Sequence, residues 1–281
     1  MEFLNNISEI DAVKLHERVD SITAQELPES RKDTLRKIIS FIDLTSLGSD
    51  DTDQKIIDLC TKAKNTLDKD NNIPSVGAVC VYPTMVKIAK KQLQNTTIPV
   101  ASVATSFPSG MTPLFLKEAE VKYCIEQGAD EIDMVISRGK LLEKKYTEVF
   151  EEIKAIKTTC GKTHLKVILE TGELQTPTNV LIASKIAIAA GADFIKTSTG
   201  KSNPAATKAE FLVMLDAIKE HYEKTGEKIG IKPAGGISDN NTAIEFYKLV
   251  YFTLGKEWIN NTLFRIGASR LATNVINEIK K

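Results

Sequence analysis

Residues 190–201 read Ala190-Gly191-Ala192-Asp193-Phe194-Ile195-Lys196-Thr197-Ser198-Thr199-Gly200-Lys201. Gly191 stands where an amphipathic stretch (178–190) stops, the C′ position that favours glycine. A short apolar strand follows (194–197), then a polar turn with glycine. The same ending, Gln127-Gly128-Ala129-Asp130, precedes a second apolar segment at 131–136. Reading outward in both directions, short apolar segments recur at 39–44, 75–81, 100–106, 131–136, 165–170, 194–197, 229–232 and 264–267. Amphipathic stretches separate most of them, among them 114–127, 146–159, 178–190, 207–223 and 241–254. Strands alternating with helices predict an α/β fold with a parallel sheet. Eight such strands predict a closed (β/α)8 TIM barrel. An open doubly wound sheet shares the local pattern, but no G-x-G-x-x-G follows an early strand. Polar residues also recur at the ends of many different strands, as a barrel requires when its site is built from several of them.

The whole chain fits this reading. Its 281 residues are 42% hydrophobic and 26% charged, a globular composition. The 37 Lys+Arg balance the 37 Asp+Glu, which argues against a nucleic-acid or membrane partner. No apolar run approaches the 18 residues that a transmembrane helix needs. No basic segment leads into an apolar core at the N-terminus, so a cytoplasmic protein is expected. Cys60, Cys80, Cys124 and Cys160 form no C-x-x-C pair, and His16, His164 and His221 have no zinc spacing, so no disulfide framework and no metal are expected. Residues 1–36 read as a helical extension and 37–281 as the barrel, within one domain. The extension either caps the barrel bottom or touches a second subunit, as in a homodimer.

The chemistry lies in the strands. Phe194, Lys196 and Ser198 share one face by the two-residue repeat, and Ile195 points to the helices. A lysine in an apolar strand loses hydration, which disfavours its ammonium form, and Lys232 and Lys166 on the neighbouring strands push the same way. A neutral amine among like charges is what Schiff-base formation with a carbonyl requires. The architectural alternative is a lysine paired with Asp133 or Glu170. Asp133, on the fourth strand, can relay a proton or serve as a salt-bridge partner. Thr199-Gly200 after strand six, Gly235-Gly236 after strand seven and Gly267-Ala268-Ser269 after strand eight lie where barrels often bind phosphate.

These segments resemble the deoxyribose-phosphate aldolase family. The matching strings are Ile42-Asp43-Leu44-Thr45, Val79-Cys80-Val81-Tyr82-Pro83, Gly128 through Val135, Leu165 through Glu173, the Lys196 and Lys232 segments, and Arg265-Ile266-Gly267-Ala268-Ser269. They run in family order from about residue 35 to 272. The resemblance implies a class I aldolase without metal or cofactor, cleaving 2-deoxy-D-ribose 5-phosphate reversibly to D-glyceraldehyde 3-phosphate and acetaldehyde. By the same resemblance, Lys196 is the Schiff-base lysine, Lys232 the second lysine and Asp133 the proton relay. Asp43, Thr45, Cys80, Lys166 and Lys201 are placed at the substrate pocket, and Thr199, Gly200, Gly235, Gly236 and Ser269 at the phosphate.

Three departures from the family pattern stand out. Arg270 follows Ser269 where many relatives have a second serine. Ile237-Ser238-Asp239 follows the glycine pair where some have arginine, and Asp239 would oppose a dianion if it faced the site. The last residues, 274–281, contain no tyrosine.

Overall fold

The computed structural model describes residues 4 and 7–281; the remainder of the extension, residues 1–3, 5 and 6, lies outside the described residues. Eight strands carry the site: β1 (Ile42–Thr45), β2 (Ala78–Val81), β3 (Val100–Ala104), β4 (Glu131–Val135), β5 (His164–Ile168), β6 (Phe194–Lys196), β7 (Gly230–Lys232) and β8 (Ile266–Ala268). From β1 to β7 each strand pairs in parallel with the next, and β1 also pairs with β8. Closure between β7 and β8 runs through bridges at Ile231–Phe264 and Ala234–Gly267. The expected TIM barrel is therefore the observed fold.

The helices are α1 (Ala12–Thr23), α2 (Arg31–Phe41), α3 (Asp53–Lys64), α4 (Val86–Leu93), α5 (Leu114–Glu126), α6 (Arg138–Leu142), α7 (Tyr146–Cys160), α8 (Pro177–Ala189), α9 (Lys208–Thr225), α10 (Asn240–Leu254) and α11 (Leu271–Ile279). Several start on a side-chain cap, as at Thr176 for α8 and Thr207 for α9. Strand residues of one parity, such as Val79, Ile132, Met134, Val167, Ile195 and Ile231, join the apolar layer under the helices. The opposite parity faces the barrel axis, where Cys80, Ala101 and Val103 form a small separate cluster with Leu47, Tyr82 and Phe107. Among the described residues no helix is long and apolar enough to cross a membrane.

Several boundaries differ from the sequence reading. The first strand starts at Ile42 rather than Ile39, because Leu35, Ile38 and Ile39 continue the buried face of α2 to Phe41. The division drawn between residues 36 and 37 consequently falls inside that helix. Strands three and five stop early, since Thr105, Ser106 and Glu170 take left-handed backbone at φ 63°, 59° and 56°, which ends a ladder. Among the described residues the extension packs on the helical layer. α1 packs along α9 and α10, and α2 against α10 and α11. Arg18 pairs with Asp216 of α9 at 2.8 Å, and the Tyr247 hydroxyl of α10 donates to Glu29.

Candidate active site

Strand register brings the charged residues together. Asp133 sits level with Lys166 and Phe194, and Lys196 sits level with Lys232 two residues nearer the mouth. Gly230 makes room for this arrangement, since a Cβ there would lie 2.4 Å from the Phe194 ring. Lys166 Nζ donates to Glu131 Oε2 at 2.5 Å and to Asp133 Oδ1 at 3.0 Å. Lys232 Nζ donates to Asp133 Oδ2 at 2.8 Å and to Asp43. Arg265 closes the circuit, with Nη1 at 2.7 Å from Asp43 Oδ1 and Nη2 at 2.8 Å from Glu131 Oε1. The result is a ring of alternating sign: Glu131, Lys166, Asp133, Lys232, Asp43, Arg265.

Lys196 hangs on this ring by one bond. Its Nζ donates to Asp133 Oδ2 at 2.8 Å, the same oxygen that Lys232 uses. The ring alone balances three cations against three carboxylates, so Lys196 is the seventh charge and has no carboxylate of its own. Burial pushes the Asp133 carboxyl up, but Lys166, Lys196 and Lys232 outweigh it and hold it well below the usual range. Burial raises Asp43 as well, and Lys232 and Arg265 overcome it to bring it to about 2. Burial alone would strip Lys232 and Lys166 of their protons; the carboxylates beside each reverse the sign and hold both above the ordinary lysine value. The ring thus stays ionised, and Lys232 and Lys166 keep their protons.

Above the ring opens a cavity of about 380 Å³, floored by Lys196 and walled by the loops after β1, β6, β7 and β8. Of the seven charged residues only Lys196 reaches it. Lys201 and Arg270 add two further cations to the lining, and no carboxylate lines it. Thr45, Thr199, Gly200, Lys201, Gly235, Gly236 and Ser269 all lie on this lining. Asp43, Asp133, Lys166, Lys232 and Cys80 are fully buried beneath or beside it. The Thr45 hydroxyl donates to the Asp43 carbonyl at 2.8 Å. The Thr199 hydroxyl is engaged by Glu170 and accepts from Lys201 N at 3.1 Å. Burial foremost, with Asp133 adding, pushes the Cys80 thiol up, which keeps it neutral.

Sequence reasoning missed Arg265 and Glu131 as parts of the cluster. It also missed Arg138, whose Nη1 lies 3.2 Å from Glu170 and holds the residue that fixes Thr199. Asp239 does not line the cavity. It caps α10, accepting from Thr242 N at 2.9 Å, and bonding to Thr242 holds its carboxyl below the ordinary value. Asp239→Ala is therefore expected to lower stability by about 1 kcal/mol in denaturant unfolding. The KM for a phosphorylated substrate should not change; a fall in KM would mean that the carboxylate had been repelling the ligand.

A sequence profile described as DeoC/LacD family aldolase matches residues 37–255, spanning β1 through α10. The chain belongs to the DeoC/LacD aldolase family. It is 47% identical over 255 residues to human deoxyribose-phosphate aldolase, covering 87% of this chain and 80% of the relative. Against the mouse deoxyribose-phosphate aldolase the identity is 45% over 255 residues, with the same 87% and 80% coverage. Among solved structures, the tetrameric deoxyribose phosphate aldolase of Aeropyrum pernix superposes with a TM-score of 0.69 at 23% identity, covering 94% of this chain and 98% of that one. This last likeness speaks to the fold, and it agrees with the closed barrel of the family.

Proposed function

We propose that the chain is a class I deoxyribose-phosphate aldolase, with Lys196 as the Schiff-base nucleophile. The observation that carries this reading is the position of Lys196: it is the one lysine of the cluster that reaches the cavity and the one cation that the buried carboxylates leave unbalanced. Lys196 is 3% exposed and shares its one carboxylate oxygen, Asp133 Oδ2, with Lys232. The free amine is the reactive form.

In the cleavage direction the Lys196 amine adds to C1 of the open-chain sugar phosphate, and loss of water leaves an iminium. The C3 hydroxyl gives up its proton through a water to the Asp133 carboxylate, whose Oδ2 accepts from both Lys196 and the Lys232 ammonium. The C2–C3 bond breaks, its electron pair flows into the iminium to form an enamine, and D-glyceraldehyde 3-phosphate leaves. Protonation of the enamine at C2 and hydrolysis release acetaldehyde and restore the amine. The ring supplies fixed charges around the developing ones, a preorganised environment that does not need to reorient. At the mouth, the glycine turns, the start of α11, Lys201 and Arg270 form the phosphate end, and Arg270 supplies charge where many relatives have serine.

Incubation with acetaldehyde, reduction with borohydride and digestion should place the added mass on Lys196. Dihydroxyacetone phosphate should leave no adduct. A mass on Lys232 alone would overturn the assignment, and an adduct with the ketose phosphate would favour another Schiff-base aldolase. For the setting we propose the cytoplasm, consistent with four cysteines that are free and buried. We also propose a homodimer: Met111, Leu114, Phe115 and Leu116 expose an apolar surface around the start of α5 that a second copy would cover. Light scattering giving the mass of one chain would reject the dimer.

A further inference from the structure

We propose that Glu131 and Arg265, which lie outside the cavity and touch no substrate, are positioning residues that set the charge of Lys196 from the far side of the ring. The inference rests on Lys196 being the Schiff-base amine.

The geometry gives each group one place. Glu131 accepts from both Lys166 and Arg265, at 2.5 and 2.8 Å, and Arg265 donates to both Glu131 and Asp43, at 2.8 and 2.7 Å. Both are nearly closed off from water, each 6% exposed. Fixed charges in such a site are screened little by solvent ions. The loops over the cavity add Lys201 and Arg270, which every variant below keeps. β1 presents Asp43, β2 the neutral Cys80, β4 Glu131 and Asp133, β5 Lys166, and β7 Lys232; Arg265 stands ahead of β8. β3 presents only Ala101 and Val103. Glu170, past the end of β5, is already taken by Arg138 and Thr199. With Lys196 charged the ring and its pendant hold four cations and three carboxylates; with Lys196 neutral the numbers are equal.

The two far-side residues therefore act with opposite sign. Glu131→Gln removes a carboxylate while Lys166 keeps Asp133 and Arg265 keeps Asp43. The surplus of positive charge grows, so the Lys196 proton leaves more readily. Arg265→Gln removes a cation while Asp43 keeps Lys232 and Glu131 keeps Lys166. Three carboxylates then face three lysines, and the Lys196 ammonium is retained as the third. Removing both returns the surplus to one.

The test is the pH at which the rate of acetaldehyde adduct formation, trapped by borohydride and located by mass on Lys196, reaches half its plateau. Glu131→Gln should lower that midpoint by about one pH unit, and Arg265→Gln should raise it by a similar amount. The double variant should return to the wild-type midpoint. If Arg265→Gln and the double variant do not fold by circular dichroism, Glu131→Gln alone decides: a lowered midpoint supports the inference, and an unmoved or raised one overturns it. A merely structural role would weaken the rate and leave the midpoints in place, or move both single variants in one direction; either result overturns the inference while adducts still form on Lys196. Absence of any adduct in the wild-type chain would instead remove the Schiff-base reading, and this inference with it.

Discussion

Lys196→Ala is expected to lose aldol cleavage and the borohydride-trapped adduct together, with kcat down by roughly 10⁴-fold or more. The size of the loss follows from the chemistry. Without the amine no iminium forms, and the C2–C3 electrons have no acceptor. Binding should survive, because Lys201, Arg270 and the glycine turns at the other end of the cavity are untouched. The fold should survive as well, since the remaining six charges already form a closed and balanced ring. Steady-state assay of acetaldehyde release, with the phosphosugar's affinity measured alongside, checks both halves. Retained turnover in this variant would reject covalent catalysis.

Lys232→Leu should give the next largest loss, about 10²–10⁴ in kcat. Two effects add. The variant loses the protonated group that shares Asp133 Oδ2 with Lys196, and so the partner for proton transfer. It also removes one cation, which leaves three carboxylates facing Lys166, Arg265 and Lys196. The lost cation is equivalent to the one removed in Arg265→Gln. The activity that remains should accordingly rise more steeply toward alkaline pH than that of the wild-type enzyme. Lys232 cannot itself be the group that titrates on the wild-type alkaline limb as an uncharged base, because Asp133 and Asp43 hold it above the ordinary lysine value against the pull of burial. A variant with wild-type kcat and an unmoved pH profile would sink the assignment of Lys232.

Much of this site was legible because barrel strands are short and each displays its chemistry at one end. The lysines at 196 and 232 and the aspartate at 133 sit in apolar segments where a charge demands a reason, and two-residue alternation places them on the inward face. The start of β1 was misread because Ile38 and Ile39 satisfy a helix face and a strand face equally well over so short a stretch. The ring was invisible for a different reason. Glu131 lies 134 residues from Arg265 along the chain, and Arg265 lies 222 from Asp43. Pairs so remote leave no periodicity to read. One trace was available: Glu131 and Asp133 put two carboxylates on the inward face of one strand, more negative charge than a single lysine can answer. Asp239 shows the opposite error. A carboxylate near a phosphate loop looked hostile to an anion, yet a helix start three residues ahead of Thr242 had a better use for it.

The turns at Gly200 and Gly235 stand back to back, and a Cβ on Gly235 would lie 3.0 Å from the Gly200 Cα and 2.6 Å from Ala205 Cβ, with both backbones left-handed at φ 77° and 87°. One wall of the pocket is therefore constrained: a side chain at Gly235 would clash with Ala205 and Gly200, and one at Gly200, though it has room 3.6 Å from the Gly235 Cα, would be strained by the left-handed backbone. A drift in preference toward shorter, longer or uncharged aldehydes is more readily accommodated at the lining residues that already carry side chains, such as Leu47, Ile237 and Arg270. Directed evolution at those three codons should therefore yield more folded variants of altered selectivity than libraries at the paired glycines.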